Sequence, residues 1–293
     1  MIHILSGDAF SGVLSAPKVS GISPLFRAKI RVDGESVRCY VKPLPDQIDC
    51  PRTLRRVDNR EIINESLGYV LAQACGFKVA TVAGIILLTP AQIPQPTLEA
   101  LRDLGQGQLQ ENYLCWFSQD MNHPNLVQKH MSGIRLDFLQ QRRLKRLVHQ
   151  LINAPDIPKV IAFDDWLFNS DRHPGNLLAS SPELTLIDHG RILIYPNWQP
   201  GYLGSTGSSY TPANRLRNFI DAHEPKWTDS LPRKSEMLMA YNSFAVSFRE
   251  RGEAAARAVL VEFFDTLDTD AIILLLQSRH TPSAYAKSIG MVI

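Results

Sequence analysis

The sequence lacks the features that mark several large classes of protein. It has only four cysteines in 293 residues, and these form no C-x-x-C pair. Its longest apolar runs, residues 82 to 88 and 271 to 276, are far shorter than the roughly 20 residues of a membrane-spanning helix. The formal net charge of +2 is too small to indicate nucleic-acid binding. The first five residues have neither the basic start nor the apolar core of a signal peptide. We therefore expect a cytoplasmic protein with reduced thiols, no membrane segment and no nucleic-acid partner.

The most informative stretch is residues 165 to 176, DWLFNSDRHPGN, followed by the apolar residues 184 to 187 and then by Asp188, His189 and Gly190. Two short strands joined by a turn are predicted between Asn176 and Asp188, so a hairpin would bring both side chains to the same end. An aspartate, an asparagine five positions later and a second aspartate after a strand are what magnesium-dependent phosphoryl transfer of the protein-kinase type requires. In that chemistry Asp171 accepts the proton of the substrate hydroxyl, and Asn176 and Asp188 hold the metal.

The same residues resemble a known family. Residues 169 to 176, NSDRHPGN, resemble the N-x-D-R-H-x-x-N catalytic loop of HipA-like kinases, and the D-R-H-x-x-N core is similar to that of phosphatidylinositol kinases. Residues 187 to 190, IDHG, resemble the metal-binding segment that follows, with His189 in place of phenylalanine. The resemblance implies ATP and Mg²⁺ as cofactors. HipA toxins carry an additional N-terminal module, for which there is little room before Ser20, so a compact HipA-like kinase is the closer match and an antitoxin partner is not the main expectation.

A kinase also needs a strand lysine that reaches the nucleotide phosphates and a helix glutamate that fixes this lysine. Residues 37 to 44, VRCYVKPL, alternate as a strand does and carry Lys42. Residues 59 to 75 have the apolar spacing of an amphipathic helix that ends at Gly76. Its two glutamates, Glu61 and Glu65, lie on similar faces, so periodicity does not choose between them. The resemblance selects Glu65 and leaves Glu61 as a surface charge.

Two further segments are candidates for nucleotide binding. Residues 19 to 26, VSGISPLF, precede the lysine strand and contain no G-x-G-x-x-G motif. They are either an ordinary turn or a phosphate-covering loop, in which Ser20, Gly21, Ile22 and Ser23 would offer hydroxyl and amide groups to phosphate oxygens. Residues 111 to 118, ENYLCWFS, predict a strand that leads into a hinge. There Cys115 and Phe117 are the candidates for adenine contact, although aromatic residues of this strand could equally be core.

These patterns predict an α+β protein with a two-lobed, protein-kinase-like fold. The strand-rich N-terminal lobe would span residues 1 to 118 and carry the phosphate loop, Lys42 and Glu65. The mainly helical C-terminal lobe would span residues 119 to 293 and carry the catalytic loop. The small, polar residues 201 to 209, GYLGSTGSS, predict either an activation or substrate-docking segment or a mobile linker, of which the linker is favoured. A helix break and cap is predicted at residues 268 to 270.

The sequence supports an ATP-dependent kinase that phosphorylates a hydroxyl, with a serine or threonine of a protein as the favoured acceptor. Two alternatives stay open. The pairs Asp171/His173 and Asp188/His189 could hold a transition metal in a hydrolase, since both residue types are good ligands. The chain could also be a pseudokinase-like module that binds nucleotide without transferring phosphate.

Overall fold

The computed structural model describes residues 1–14, 24–50, 53–132, 137–180, 183–209 and 212–291, without the side chains of 205–209. The candidate phosphate-loop residues Ser20, Gly21, Ile22 and Ser23 lie outside the described residues. Contacts between residues define two compact units. The first unit contains Met1–Ser66, Ala80–Asn122 and Tyr195–Asn197, and the second contains Leu67–Val79, His123–Ile194 and Trp198–Ile293. The predicted division at residue 118 remains a prediction, since compact units and functional lobes need not share a boundary.

The first unit is built on a six-stranded sheet with the strand order β1-β7-β8-β4-β3-β2. Only β1 and β7 run parallel, and every other neighbouring pair in this sheet is antiparallel. Its strands and helices are β1 (His3–Leu5), β2 (Phe10–Val13), β3 (Phe26–Val32), β4 (Glu35–Leu44), the small hairpin β5 (Gln47–Asp49) and β6 (Arg56–Asp58), the start of α1 (Glu61–Ala74), β7 (Ala83–Leu88), α2 (Gln95–Leu104) and β8 (Tyr113–Gln119).

The sheet follows from the alternation of apolar and polar residues. In β3, Phe26, Ala28, Ile30 and Val32 are buried while the residues between them are more exposed, as period-two patterning requires. The turn between β3 and β4 has positive φ angles at Asp33 (50°) and Gly34 (86°), which suits the twist of a two-residue hairpin. The predicted strand that carries Lys42 is therefore confirmed as part of β4.

The second unit is mainly helical, with one hairpin. Its elements are the end of α1, α3 (Leu126–Met131), α4 (Asp137–Asn153), α5 (Ile157–Leu167), β9 (Leu177–Ser180), β10 (Glu183–Leu186), α6 (Pro200–Ser209), α7 (Arg215–His223), α8 (Leu231–Ser247), α9 (Glu253–Leu260), α10 (Thr266–Ser278) and α11 (Pro282–Ser288). Strands β9 and β10 pair in antiparallel register, which confirms the predicted hairpin. In the described part of the chain, no helix combines the length and the apolar character needed to cross a membrane.

Two predictions for the second unit are wrong. The predicted linker at residues 201 to 209 is part of α6, which packs against α10 and buries Leu203. Tertiary packing here overrides the low helix propensity of glycine and serine. The cap predicted at residues 268 to 270 lies inside α10. The N-cap is Asp265, whose side chain accepts a hydrogen bond from the backbone N–H of Asp268, and Asp268 itself lies in the first turn.

An aromatic cluster forms the centre of the second unit. Phe163 and Trp166 on α5 pack edge to face, and Phe244 on α8 contacts both. His280 joins this cluster, with its ring centroid 4.5 Å from that of Trp166. Its Nε2 atom is buried and has no hydrogen-bond partner among the described residues. Burial, reinforced by Arg279 and Arg249, lowers the pKa of His280 to about 4.

We expect His280 to make the protein sensitive to acid. Because its folded-state pKa lies below the ordinary value of about 6.5, the unfolded chain binds the proton more tightly between pH 6.5 and 4, and the free energy of unfolding falls as the pH decreases through this window. Urea unfolding at pH 7 and pH 5 measures the effect, which is at most about 1.4 kcal/mol per pH unit. His280→Phe keeps the ring without the titrating group, and equal acid sensitivity in this variant would contradict the assignment.

Candidate active site

Lys42 lies on β4 with only 7% of its surface exposed. Its ammonium Nζ is 2.9 Å from Oε1 of Glu65 and 2.5 Å from Oε1 of Glu61, and both glutamates are buried. A buried ammonium is stable only when its charge is compensated. The pairing of Lys42 with the selected Glu65 is therefore present in the structure.

The expectation for Glu61 is wrong, because this residue is no surface charge. Glu61 is the first residue of α1 and Glu65 follows one turn later. Side chains four positions apart lie on the same face of a helix, so both carboxylates reach Lys42. The spacing of Glu61 and Glu65 in the sequence shows that they share a helix face. It does not show that this face is buried.

The two candidates for adenine contact lie inside the sheet. Cys115 and Phe117 are fully buried in the core of the first unit. Their strand, β8, is paired on one side with β7 and on the other with β4. Since the side chains are packed and the strand has neighbours on both edges, the structure gives no reason to assign adenine contact to either residue. Burial also raises the pKa of the Cys115 thiol, which makes it unreactive.

The candidate catalytic loop begins where α5 ends. Phe168 adopts a left-handed backbone with φ of 55°, and its N–H donates to the carbonyl of Asp164, which stops the helix. Asn169 then fixes the direction of the chain. Its Nδ2 donates to Oδ1 of Asp164 at 2.8 Å, and its Oδ1 accepts from the backbone N–H of Asp171 at 3.0 Å. The position of Asp171 is thus set by the end of a buried helix.

Arg172 ties this loop to the segment that follows the hairpin. It is 0% exposed, and its Nε lies 3.2 Å from Oδ2 of Asp164, which is itself 1% exposed. Its Nη1 donates to the carbonyl of Ile187, and its Nη2 lies 3.1 Å from Nδ1 of His189. Burial raises the pKa of Asp164 to about 6 although Arg172 opposes the rise, so the carboxylate is ionised at neutral pH. No pattern in the sequence indicates this role of Arg172 or the pairing of Asp164 with it.

Asn176 is held by the loop that it closes. Its Nδ2 donates to the backbone carbonyl of Asp171 at 3.1 Å, so Oδ1 is the atom that could bind a cation. The turn before it is braced by His173, whose Nδ1 accepts from the N–H of Gly175 at 3.0 Å. A Cβ added at Gly175 would lie 2.6 Å from Cε1 of this ring, so only glycine fits. His173 therefore supports the loop, and burial lowers its pKa.

Asp188 follows β10 and has a left-handed backbone with φ of 58°. The next residue, His189, is 2% exposed and packs against α1. A Cβ added at Gly68 of this helix would lie 2.4 Å from Cβ of His189. The segment after the hairpin is therefore positioned by helix α1 on one side and by Arg172 on the other.

Asp171 is flanked by two arginines that the sequence analysis did not identify. Arg215 donates through Nη1 to Oδ1 of Asp171, and Nε of Arg191 lies 3.4 Å from Oδ2. The side chains of Arg215 and Arg191 are 59% and 36% exposed, against 18% for Asp171. Arg191 lies 20 positions and Arg215 lies 44 positions after Asp171 in the sequence. No local sequence pattern links either arginine to Asp171.

The donor set suits magnesium. Asn176 and Asp188 offer an amide oxygen and a carboxylate, the hard oxygen ligands that Mg²⁺ takes together with water and phosphate. The two histidines fit a transition-metal site poorly. Nδ1 of His173 accepts from Gly175 and Nδ1 of His189 faces the donor Nη2 of Arg172. In each neutral ring the proton is therefore on Nε2, which leaves that nitrogen without a lone pair for a metal.

No protein-family model matches the chain, and no curated protein sequence matches it. Among solved structures it is similar to the proinflammatory kinase CtkA of Helicobacter pylori, with 12% identity over 96% of this chain and 97% of that one and a TM-score of 0.52. The PknI kinase domain of Mycobacterium tuberculosis (12% identity, 87% and 96% covered, TM-score 0.38) and the MAP kinase LmaMPK10 of Leishmania major (14% identity, 95% and 81% covered, TM-score 0.27) are also similar.

At 12% identity, the likeness to CtkA concerns the fold alone. It agrees with a strand-rich N-terminal part and a mainly helical C-terminal part that contains the β9–β10 hairpin. The predicted fold class is confirmed: the chain has an α+β, two-lobed, protein-kinase-like fold.

Proposed function

We propose that this protein is an ATP-dependent, magnesium-requiring kinase that transfers the γ-phosphoryl group to a serine or threonine hydroxyl of a protein. The observation that carries this proposal is the buried Arg172, which links the loop of Asp171 and Asn176 to the segment of Asp188. Phosphoryl transfer depends mainly on positioning and on charge stabilisation. The guanidinium of Arg172 is fully buried and contacts five groups among the described residues, so it holds both segments in place.

In the proposed reaction the acceptor hydroxyl gives its proton to Asp171, and its oxygen forms a bond to the γ-phosphorus. The bond from this phosphorus to the leaving oxygen of ADP breaks. Asn176 and Asp188 would hold Mg²⁺, which supplies positive charge to the phosphates. Lys42, fixed by Glu65 and Glu61, would contact the phosphates directly.

The subtype follows from the loop sequence. We infer that the chain is a HipA-like kinase, because residues 169 to 176 keep the aspartate ahead of the arginine and histidine. Asn169 supports this inference, since it bonds both to Asp164 and to the N–H of Asp171. The four cysteines are buried and free, which fits action in the reducing cytoplasm.

Replacing Lys42 tests the proposal. We expect Lys42→Ala to lower transfer of label from γ-labelled ATP about 10²- to 10³-fold, the usual effect of losing one charge-stabilising donor. The assay uses Mg²⁺ and the protein alone, then a lysate as the pool of acceptors. The matched control is Lys29→Ala, which removes an exposed lysine from the neighbouring strand β3.

The same assay distinguishes the roles of Glu61 and Glu65. Glu65→Gln and Glu61→Gln each remove one carboxylate from Lys42, and the larger loss identifies the residue that fixes the lysine. Full activity in Lys42→Ala, or no transfer to any acceptor by the unchanged protein, would overturn the proposed function.

A further inference from the structure

The second unit contains a cavity of about 620 Å³, lined by residues of α5, α7, α8, α10 and α11. Its volume lies in the range of pockets that bind small organic molecules. The end of α5 contributes Asp164 and Asp165, and the start of the candidate catalytic loop contributes Asn169. None of the candidate catalytic and metal-binding residues lines this cavity. It is therefore a site of its own, next to the residues that set the course of the loop.

The charges in the lining of the cavity are not balanced. Asp164 is neutralised by the buried Arg172, which is not part of the lining. The second carboxylate, that of Asp165, is shared by two lining guanidiniums, since Arg217 pairs with it and Arg279 also interacts with its charge. The lining with its bound counter-charge therefore has a formal excess of one positive charge, which favours a negatively charged ligand.

Arg279 is the residue without a carboxylate of its own. Its Nε donates to the backbone carbonyl of Trp166 and its Nη2 to that of Asp165, both at 2.6 Å. Its Cζ lies 3.4 Å from the ring centroid of Phe168. Burial lowers the pKa of Arg279, although Tyr241 and Asp165 oppose this, so the charge is only partly compensated. These contacts fix the plane of the guanidinium and leave Nη1 for a ligand.

Arg217 supplies a second guanidinium. Its Nη2 donates to Oδ2 of Asp165, whose carboxylate also accepts from Asn214 and Tyr285. Its Nε is buried and has no hydrogen-bond partner among the described residues, which is unfavourable for a charged donor. The side chain as a whole is 24% exposed. Arg217 thus combines an unmet hydrogen bond with a position that a ligand can reach.

We propose that this cavity binds a small organic anion, whose carboxylate or phosphate group contacts Arg279 and Arg217. The guanidinium plane binds both kinds of oxyanion through paired hydrogen bonds. The apolar body of the ligand would pack against Leu275 and the ring of Tyr241, which also line the cavity. This site does not depend on the proposed kinase function, because its occupation requires neither ATP nor an acceptor.

Four small compounds test the proposal: benzoate, phenyl phosphate, inorganic phosphate and benzyl alcohol. Ligand-observed NMR titrations of the unchanged protein, without ATP, give their affinities. We expect benzoate or phenyl phosphate to bind at least about 10-fold more tightly than benzyl alcohol, the effect of one charge-assisted hydrogen bond. Phenyl phosphate should also bind more tightly than inorganic phosphate, which lacks an apolar body. The tighter of the two aromatic anions identifies the preferred oxyanion.

Two kinds of variant locate the binding. Arg279→Gln and Arg217→Gln each remove one positive charge and should weaken the aromatic anions about 10-fold while leaving benzyl alcohol unchanged. Ala284→Phe fills the cavity from an exposed position of α11 and should weaken every compound. Arg142→Gln is the control, since it removes an exposed charge from α4 and should change none of the affinities. Thermal unfolding checks each fold, and if Arg279→Gln does not fold, Arg217→Gln and Ala284→Phe decide.

Three results would overturn the anion site. Benzyl alcohol could bind as tightly as both aromatic anions, Ala284→Phe could bind them as the unchanged protein does, or ATP with Mg²⁺ could displace them, which would place them in the proposed nucleotide site. The kinase function is judged separately by label transfer. Transfer without binding of the aromatic anions would remove the anion site alone, and binding without transfer would remove the kinase function alone.

Discussion

Asp171→Asn is expected to lower phosphoryl transfer about 10²- to 10⁴-fold, the range of a lost general base, and to leave nucleotide binding largely intact. The change keeps the shape of the side chain and removes its ability to take a proton at neutral pH. Oδ1 of Asn169 accepts a hydrogen bond from the backbone N–H of residue 171, so this contact does not depend on the side chain and the loop should keep its course. Label transfer gives the rate, and titration with a fluorescent ATP analogue gives the affinity.

Two further variants test whether the effect of Asp171→Asn is specific to this residue. Asp188→Asn should weaken magnesium-dependent nucleotide binding as well as transfer, since the proposed metal ligand would lose its charge. Asp229→Asn is the control: this exposed aspartate pairs with Lys234 at 3.2 Å in the same unit, and its change should leave both measurements unaffected. If Asp171→Asn kept half or more of the normal rate of phosphoryl transfer, Asp171 would not be the general base.

Asp164→Ala is expected to reduce the free energy of unfolding by about 3 to 5 kcal/mol, because it leaves the buried guanidinium of Arg172 without its counter-charge. Both side chains are at most 1% exposed, so water cannot take the place of the carboxylate. The same change removes the acceptor of Nδ2 of Asn169. Urea denaturation followed by circular dichroism measures the loss.

The control for this effect is an exposed pair of similar geometry. Asp270 lies 2.6 Å from Arg257 and is 52% exposed, so Asp270→Ala should cost less than about 1 kcal/mol. A double variant, Asp164→Leu with Arg172→Met, should recover at least half of the lost stability, because paired buried charges can often be replaced by apolar residues. Its activity should stay low, since the contacts of Arg172 with Ile187 and His189 are gone. Equal stability of Asp164→Ala and the unchanged protein would show that the buried pair is not needed for folding.

The parts of the fold that depend on local patterns were predictable. The strand with Lys42, the helix that ends at Gly76 and the hairpin between Asn176 and Asp188 each follow from periodicity and from turn residues close in sequence. The structure has all three, as β4, α1 and the β9–β10 pair. The candidate residues Asp171, Asn176 and Asp188 were found because they lie within a single stretch of 18 residues.

The rest depends on contacts between distant segments. Nothing near Asp164 marks it as the partner of Arg172, because an aspartate in an apolar helix looks the same whether its charge is paired or not. Arg215 reaches Asp171 from a helix 44 positions away. Helix α6 forms in a glycine- and serine-rich stretch because Leu203 is buried. Such features are set by packing, which overrides local propensity.

At residue 188 the left-handed backbone favours glycine for stability, whereas the proposed function requires aspartate. A φ of 58° is free of strain for glycine, whereas a residue with a side chain adopts it at a cost of about 1 to 2 kcal/mol. Random variants selected only for heat resistance should therefore accumulate glycine at this position, and variants selected for phosphoryl transfer should keep aspartate. Engineering this protein for greater stability would need to hold residue 188 constant, because we expect glycine there to give a more stable chain that does not transfer phosphate.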